Sequence, residues 1–229
     1  MKLCMPGLLV VLLVGCRDET QPRPLPNPNA NSELAYPTDW AKQDWVNEFS
    51  LMERSGKPFH SKDMDGKVWV VSVFFSSCPT ECVNQNEQIK ALHSEFEPQG
   101  VTFVSITCDA ETDSPKRLRE YAHRFTTDSK GWLFLTGTDT HLRRVAGERF
   151  KLRSFRPPDA NTADKFSHSS SLVAIDKWGN LRDSFNWKTE SEIVKLMSLL
   201  KKLLVEMEPP KEFKQINGVR LIEQDSGDK

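Results

Sequence analysis

The chain has 229 residues, a formal net charge of −1, 38% hydrophobic residues and 28% charged residues. This length suits one ordinary domain with appendages, and the balanced charge lacks the basic footprint that nucleic-acid binding requires. We therefore expect a globular domain with no nucleic-acid partner. Beyond residue 15, no apolar stretch is long enough to predict a membrane-spanning helix.

Residues 1–15 have the features of an export signal. Lys2 gives a positive start, residues 8–14 form a short apolar core, and Leu13-Val14-Gly15-Cys16 ends it. That tetrad resembles the lipobox of bacterial lipoproteins, which implies cleavage before Cys16 and lipidation of its sulfur; a plain signal peptide is the alternative. The expected product is a bacterial lipoprotein anchored to a membrane, with its domain outside the cytoplasm, in the periplasm. An oxidising compartment of this kind permits disulfides.

A proline-rich tether is predicted for residues 16–38. Its five prolines stand among polar residues, a composition that cannot build a core and favours an extended chain. The sequence then predicts one folded domain over residues 39–208 and a loosely held C-terminal tail over residues 209–229.

Within the domain, apolar periodicity and turn signals predict the order β-hairpin, βαβα, βα, β-hairpin, α. The first hairpin turns at Ser55-Gly56, and the last helix begins at a capping box over residues 189–192. Between them, strands are expected at residues 68–75, 101–106 and 132–135, each followed by a helix. This order, with cysteines at the first strand-to-helix turn, predicts an α/β fold. The expected architecture is a thioredoxin-like sandwich, a central mixed sheet flanked by helices, with an added N-terminal β-hairpin.

The stretch from Val68 to Cys82 carries the strongest chemical signal. Its continuous apolar run predicts a strand covered on both faces, and Pro79 predicts that a helix opens directly after it. On that helix Cys78 and Cys82 would be four residues apart, with their Cα atoms about 6 Å apart. Two sulfurs at this separation can bond to each other or share a metal ion. The positive end of the helix dipole predicts lowered thiol pKa values, and hence thiolates, at both positions.

A histidine is predicted to complete this site. Residues 151–167 are expected to form a long loop, a feature that is often functional in compact domains, and His168 closes it. Soft sulfur ligands select Cu(I), zinc or iron–sulfur clusters, and imidazole suits copper or zinc. Because structural zinc sites usually have four protein ligands, the set Cys78, Cys82 and His168 favours low-coordinate Cu(I).

Four motifs between about Phe49 and Trp187 carry a resemblance. They are Cys78-Pro79-Thr80-Glu81-Cys82, Thr107-Cys108-Asp109-Ala110-Glu111-Thr112-Asp113, Leu135-Thr136-Gly137-Thr138 and His168-Ser169 before the strand over residues 172–175. In these motifs the chain resembles the SCO/SenC family of thioredoxin-fold copper proteins, which help to assemble the binuclear copper (CuA) centre of cytochrome c oxidase. The resemblance implies one copper ion per chain, as Cu(I), held by Cys78, Cys82 and His168. It also implies a partner, either the copper-site subunit of cytochrome c oxidase or another copper acceptor protein.

The chain departs from the family pattern beside these motifs. Val83 and Ala110 stand where the family often has proline, and Ser167 stands where it often has aspartate. None of these changes removes a proposed ligand, but the missing acidic neighbour bears on how His168 is oriented.

Three residues near the motifs allow two interpretations each. Cys108 takes a position that is usually aliphatic in the family. It either packs as a small hydrophobic residue or supplies a third thiol that traps or resolves a mixed disulfide. Asp109 and Asp113 either orient the site or cap the following helix.

Two functions other than a non-enzymatic copper chaperone stay open. A thiol–disulfide oxidoreductase acting on exported or copper-site proteins needs only Cys78 and Cys82, so replacing His168 would distinguish it from a chaperone. A peroxide-reducing enzyme is a weaker alternative, since peroxiredoxins share the fold but no further motif in the chain supports one.

Overall fold

A nine-stranded mixed β-sheet forms the centre of the structure, a computed structural model that describes residues 48–155, 167–210, 213–216 and 219–222. The predicted signal peptide, the tether and the lipidation site Cys16 lie outside the described residues. In chain order the strands are β1 (Ser50–Glu53), β2 (Pro58–His60), β3 (Val68–Phe74), β4 (Val101–Thr107), β5 (Trp132–Thr136), β6 (Ser154–Phe155), β7 (Ser167–His168), β8 (Ser171–Ile175), β9 (Leu181–Asn186), β10 (Phe213–Ile216) and β11 (Val219–Ile222).

The helices alternate with the strands in the middle of the chain. The part that the structure describes contains α1 (Glu81–Phe96), α2 (Pro115–Ala122), α3 (Asp139–Arg143) and α4 (Glu190–Val205). The last turn of α3 runs on into a π-helical segment, Arg144–Arg149. Helices and a mixed sheet in this order confirm the fold class that the sequence predicts.

The order of strands across the sheet is β10-β11-β9-β8-β3-β4-β5-β1-β2. Strands β3, β4 and β5 are parallel, while β8 and β1 flank them in the antiparallel direction. The three parallel strands give the sheet a carboxyl end, where all three finish, and an amino end, where all three begin. Strands β6 and β7 form a separate antiparallel pair.

Burial explains why the predicted strands form where they do. All seven residues of β3 and all seven of β4 are buried, as expected for parallel strands covered on both faces. On α1 the apolar stripe of Ile89, Leu92 and Phe96 is buried, which fixes the face of the helix that packs on the sheet. Lys201 of α4 pairs with Glu95 of α1 at 3.6 Å, so these two helices lie side by side.

The C-terminal region differs from the loosely held tail expected from sequence. Strands β10 and β11 pair with each other, and β11 also pairs in parallel with β9 through Leu221 and Leu181. These two strands therefore extend the sheet on the side away from β1 and β2. Both strands have polar or charged residues between their apolar ones, so no continuous apolar run indicates them in the sequence.

Among the described residues, no helix has the length and apolar character needed to cross a membrane.

Candidate metal and thiol site

Cys78 and Cys82 lie at the carboxyl end of the sheet, Cys78 in the connection between β3 and α1 and Cys82 in the first turn of α1. The helix starts at Glu81, because Thr80 has non-helical backbone angles (φ −134°, ψ −61°). The prediction that the helix opens at Pro79 and carries both cysteines is therefore wrong: Cys78 stands in the turn before it. The Cys82 amide donates a hydrogen bond to the Cys78 sulfur at 3.2 Å, so this sulfur serves one of the otherwise unpaired amides at the helix start.

The Cys82 thiol is buried and hydrogen-bonded. Its sulfur accepts a hydrogen bond from the Phe75 amide at 3.5 Å, and its exposure is 0%, against 8% for Cys78. Hydrogen bonding to the Cys78 side chain and burial raise the pKa of Cys82, and the Phe75 amide only partly opposes them. Both effects favour the neutral thiol and oppose the lowered pKa that the helix dipole predicts at this position.

Cys108 is a third buried thiol beside this pair. It follows β4, and its amide donates to the Phe74 carbonyl at 2.9 Å. Because Phe74 lies opposite Thr107 in the parallel register, the next residues along, Phe75 and Cys108, are neighbours across the two strands. Burial, followed by the carboxylates of Asp113 and Asp109, raises the pKa of the Cys108 thiol. Cys78, Cys82 and Cys108 are all buried.

Asp113 ties the cysteine turn to the end of β4. Its buried carboxylate accepts hydrogen bonds from the Ser76 amide at 3.0 Å, from the Ser76 hydroxyl and from the Thr107 hydroxyl. Burial raises the pKa of Asp113 even though these hydrogen bonds oppose the shift. The cap of α2 is instead Ser114, whose hydroxyl accepts from the Arg117 amide at 3.3 Å. Of the two roles expected for Asp113, the contacts therefore favour orientation of the site.

Asp109 shapes the turn that follows β4. Its amide donates to the Thr107 hydroxyl at 3.0 Å, and its carboxylate accepts from the Thr112 amide at 3.2 Å. Asp109 is 1% exposed, so its side chain is part of the buried turn that follows β4.

The backbone of His168 approaches the same end of the sheet. His168 lies in β7 opposite Ser154, three residues before β8 begins. Strand β8 runs antiparallel to β3, with Val173 opposite Val71, so the start of β8 lies beside the carboxyl end of β3. The topology thus brings the His168 backbone to the end of the sheet that carries the cysteines, while its side chain lies outside the described part of the structure. Among the side chains that are described, no three His, Cys, Asp or Glu residues are grouped to hold a metal ion.

Two amides that the sequence analysis overlooked lie beneath Cys82. Gln85 and Asn86 are wholly buried. Gln85 donates to the Val73 carbonyl at 3.0 Å, and Asn86 donates to the Tyr121 hydroxyl at 2.9 Å. Burial, followed by the nearby Cys82, raises the pKa of Tyr121. The signal was present in the sequence, because residues three and four positions after Cys82 share its face of a helix.

Chemically, this arrangement offers two neighbouring thiols that form a disulfide when oxidised or bind a soft metal ion when deprotonated. A third thiol lies next to them, and hydrogen bonds to backbone and carboxylate hold the turn that presents them.

Comparison with known proteins agrees with the resemblance found in the sequence. A family model described as SCO1/SenC matches residues 38–204. The SCO1 protein homolog of Bacillus subtilis is 26% identical over 147 residues, which are 62% of this chain and 73% of that protein. The mitochondrial protein SCO1 of Saccharomyces cerevisiae is 26% identical over 160 residues, which are 67% of this chain and 53% of that protein. The chain thus spans about half the length of the yeast relative.

Solved structures confirm the thioredoxin-like fold. A SCO1/SenC family lipoprotein from Bacillus anthracis matches with a TM-score of 0.63 and 26% identity over 69% of this chain and 94% of that one. BsSco, a member of the Sco family of cytochrome c oxidase assembly proteins in which a disulfide switch was identified, matches with a TM-score of 0.60, 23% identity and coverage of 70% and 93%. Copper-bound yeast Sco1 matches with a TM-score of 0.58, 23% identity and coverage of 72% and 90%.

Proposed function

From the premise that this chain belongs to the SCO1/SenC family, we propose that it is a copper-binding chaperone that delivers copper to, or matures, the CuA site of cytochrome c oxidase. One Cu(I) ion per chain is the cargo. The observation that carries the proposal is the pair of buried thiols, Cys78 and Cys82, at the end of the sheet that the His168 backbone also approaches. The Cys82 amide donates a hydrogen bond to the Cys78 sulfur at 3.2 Å, which holds the two residues together. A copper-bound relative of the same fold supports the choice of metal.

The proposed ligands match the preferences of Cu(I). Cys78 and Cys82 would supply thiolates and His168 an imidazole, and soft ligands in a low-coordinate set select this ion. Since both thiols must lose their protons on binding, copper loading releases protons and requires the reduced protein. The raised pKa of Cys82 makes copper uptake weaker as the pH falls.

Transfer would begin at Cys78. This sulfur is the more exposed of the pair, at 8% against 0% for Cys82, so a ligand from the acceptor reaches it first. Cys82, fixed by the Phe75 amide, would keep hold of the ion until the acceptor has bound it.

The N-terminal sequence supports a proposed cellular location for this copper chemistry. Lipidation at Cys16 and the tether over residues 16–38 would anchor the chain to a bacterial membrane, with the domain in the periplasm. The partner in this proposal is the copper-site subunit of cytochrome c oxidase or another copper acceptor protein near that membrane.

The test is Cu(I) binding to the reduced full-length chain in non-ionic detergent, measured by competition with a chromophoric Cu(I) chelator. We expect one tightly bound ion per chain. Because loss of a residue that only supports a ligand already costs 10- to 100-fold in metal affinity, Cys78→Ser/Cys82→Ser and His168→Ala should each weaken binding by more than about 100-fold. His123→Ala serves as the matched control, because it removes an imidazole outside the proposed ligand set. Absence of binding to the reduced wild-type chain would refute the chaperone.

A thiol–disulfide oxidoreductase is the second candidate, favoured by the hydrogen bonding between the side chains of Cys78 and Cys82. In that reaction the Cys78 thiolate attacks a partner disulfide and forms a mixed disulfide, releasing one partner thiolate. Cys82 then attacks Cys78, which frees the second partner thiol and leaves a Cys78–Cys82 disulfide. This activity would survive His168→Ala, whereas copper binding would not, so one variant separates the two candidates.

A further inference from the structure

Two adjoining cavities form a groove at the amino end of the sheet, opposite the thiols. They have volumes of about 190 Å³ and 350 Å³ and share Glu53, Ser55 and Ser129 as lining residues. We call them together the cationic groove, because basic residues supply most of the charged side chains of its walls. Arg119 and His123 line the smaller cavity, and three lysines line the larger one, namely Lys57, Lys67 and Lys130.

The groove is separated from the thiol site by the length of the parallel strands. Lys67 directly precedes β3, and Lys130 lies two residues before β5, so both stand where parallel strands begin. Cys78 and Cys108 follow the points where β3 and β4 finish. A partner bound in the groove would therefore leave the thiol site open.

Apart from Arg54, which lies beside Glu53, the arginine and lysines of the groove have no acidic partners in the described part of the chain. Arg119, Lys57, Lys67 and Lys130 make no salt bridge to any carboxylate that the structure describes. Several exposed lysines elsewhere are paired with a carboxylate, as in Lys62–Glu48 (3.0 Å), Lys195–Glu192 (2.7 Å) and Lys201–Glu95 (3.6 Å).

Both carboxylates that line the groove are already engaged. Glu53 accepts a hydrogen bond from the Ser55 amide at 2.6 Å and lies 3.5 Å from the Arg54 guanidinium. Asp63 accepts from the His60 amide at 3.0 Å. The lining therefore presents an excess of positive charge in a protein whose net charge is −1.

A buried arginine makes one wall of the groove rigid. Arg54 has a side-chain exposure of 7%, lies over the Phe134 ring at 5.2 Å and donates a hydrogen bond to the Asp128 carbonyl. The Arg54 carbonyl in turn accepts from the Arg119 guanidinium at 2.7 Å. Arg119 is thus fixed at the rim by one of its N–H groups, and the others are available to a ligand.

We propose that the cationic groove binds an extended acidic peptide segment of a partner protein. Its cations are spread along two connected cavities, which suits several carboxylates in a row rather than one phosphate, for which donors would converge on a point. The larger cavity is also lined by the apolar side chains of Phe59, Met64 and Leu133, which suits the body of a peptide. A concave groove of this kind fits a chain segment better than the flat surface of a membrane.

The experiment uses the reduced, metal-free full-length chain in non-ionic detergent and a dye-labelled hexaglutamate peptide, with binding followed by fluorescence anisotropy. We expect binding at low salt that weakens as salt rises, because exposed charges are screened. The groove variant Lys57→Gln/Lys67→Gln/Lys130→Gln should bind about tenfold more weakly, the combined effect of three surface ion pairs. The matched control Lys90→Gln/Lys195→Gln/Lys201→Gln removes the same charge from helices outside the groove and should change binding less than about twofold.

Three outcomes would overturn the proposal. In the first, the wild-type chain fails to bind hexaglutamate at low salt. In the second, the control variant loses as much affinity for hexaglutamate as the groove variant, which would indicate attraction to net charge alone. In the third, inorganic polyphosphate or vesicles containing phosphatidylglycerol bind at the groove lysines while hexaglutamate does not. The proposal does not rest on the copper function, since the probe is measured without metal.

Discussion

The two ends of the parallel strands hold their reactive groups in opposite ways. At the carboxyl end, Cys82 and Asp113 are buried and each accepts hydrogen bonds from neighbouring groups. At the amino end, Lys57 and Lys130 are exposed and make no salt bridge to a described carboxylate. Burial fixes geometry and shifts pKa values, whereas exposure leaves charge free to act at a distance. One sheet therefore supports a site that depends on exact positioning and a groove that depends on charge.

The largest effect on stability is expected at the buried end. Asp113→Ala leaves the Ser76 amide and the Thr107 hydroxyl without their acceptor, and buried polar groups left unpaired cost about 1–3 kcal/mol each. We expect the free energy of unfolding to fall by about 3 kcal/mol, measured by chemical denaturation of the reduced protein. The matched control is Asp139→Ala, which removes an exposed carboxylate paired with Arg143 and should cost less than about 1 kcal/mol. An equal fall in the free energy of unfolding in the two variants would show that the Asp113 hydrogen bonds do not stabilise the turn that carries Cys78.

A smaller effect should appear as a dependence on pH. Burial raises the pKa of Asp113 above its ordinary value of 3.8, so the folded state binds a proton more tightly than the unfolded state does. The contribution of this proton to the free energy of unfolding is fully present below pH 3.8 and is lost as the pH rises through the pKa of Asp113 in the folded state. Asp113→Asn cannot ionise, so its stability relative to the wild type should improve from acid to neutral pH in parallel denaturation curves. A constant difference across that range would contradict the raised pKa.

The smallest effect is expected at the exposed end. The triple variant Lys57→Gln/Lys67→Gln/Lys130→Gln removes no described salt bridge, and surface substitutions of this kind usually change stability by less than about 0.5 kcal/mol each. We expect the thermal unfolding temperature to stay within a few degrees of the wild type, about the shift that a change of 1 kcal/mol produces. A large loss of stability would mean that these lysines support the fold rather than a binding surface, and the contrast between the two ends would then fail.

The sequence predicted the elements whose signal is local. Continuous apolar runs identified β3 and β4, and the stripe of Ile89, Leu92 and Phe96 identified the packed face of α1. The start of α1 was misplaced because it depends on the backbone angles of Thr80 and on a hydrogen bond to the Cys78 sulfur. No residue pattern reports either of these.

The sequence predicted where the candidate residues lie in the fold but not the electrostatics around them. Motif and chain order brought Cys78, Cys82 and Cys108 to one end of the sheet, with the His168 backbone beside them. The raised pKa of Cys82 follows from packing by distant parts of the chain, which spacing does not reveal. The cationic groove was missed for a similar reason, since Lys57, Arg119 and Lys130 are far apart in sequence and each alone resembles an ordinary surface residue.

Strand β2 forms one border of the sheet and affects whether two copies of this chain can pair through their sheets. Strand β2 has three residues and begins with Pro58, which has no backbone N–H to offer to a further strand. Short strands and proline at a sheet border discourage pairing between molecules. This border therefore resists the growth of intermolecular sheets that leads to aggregation.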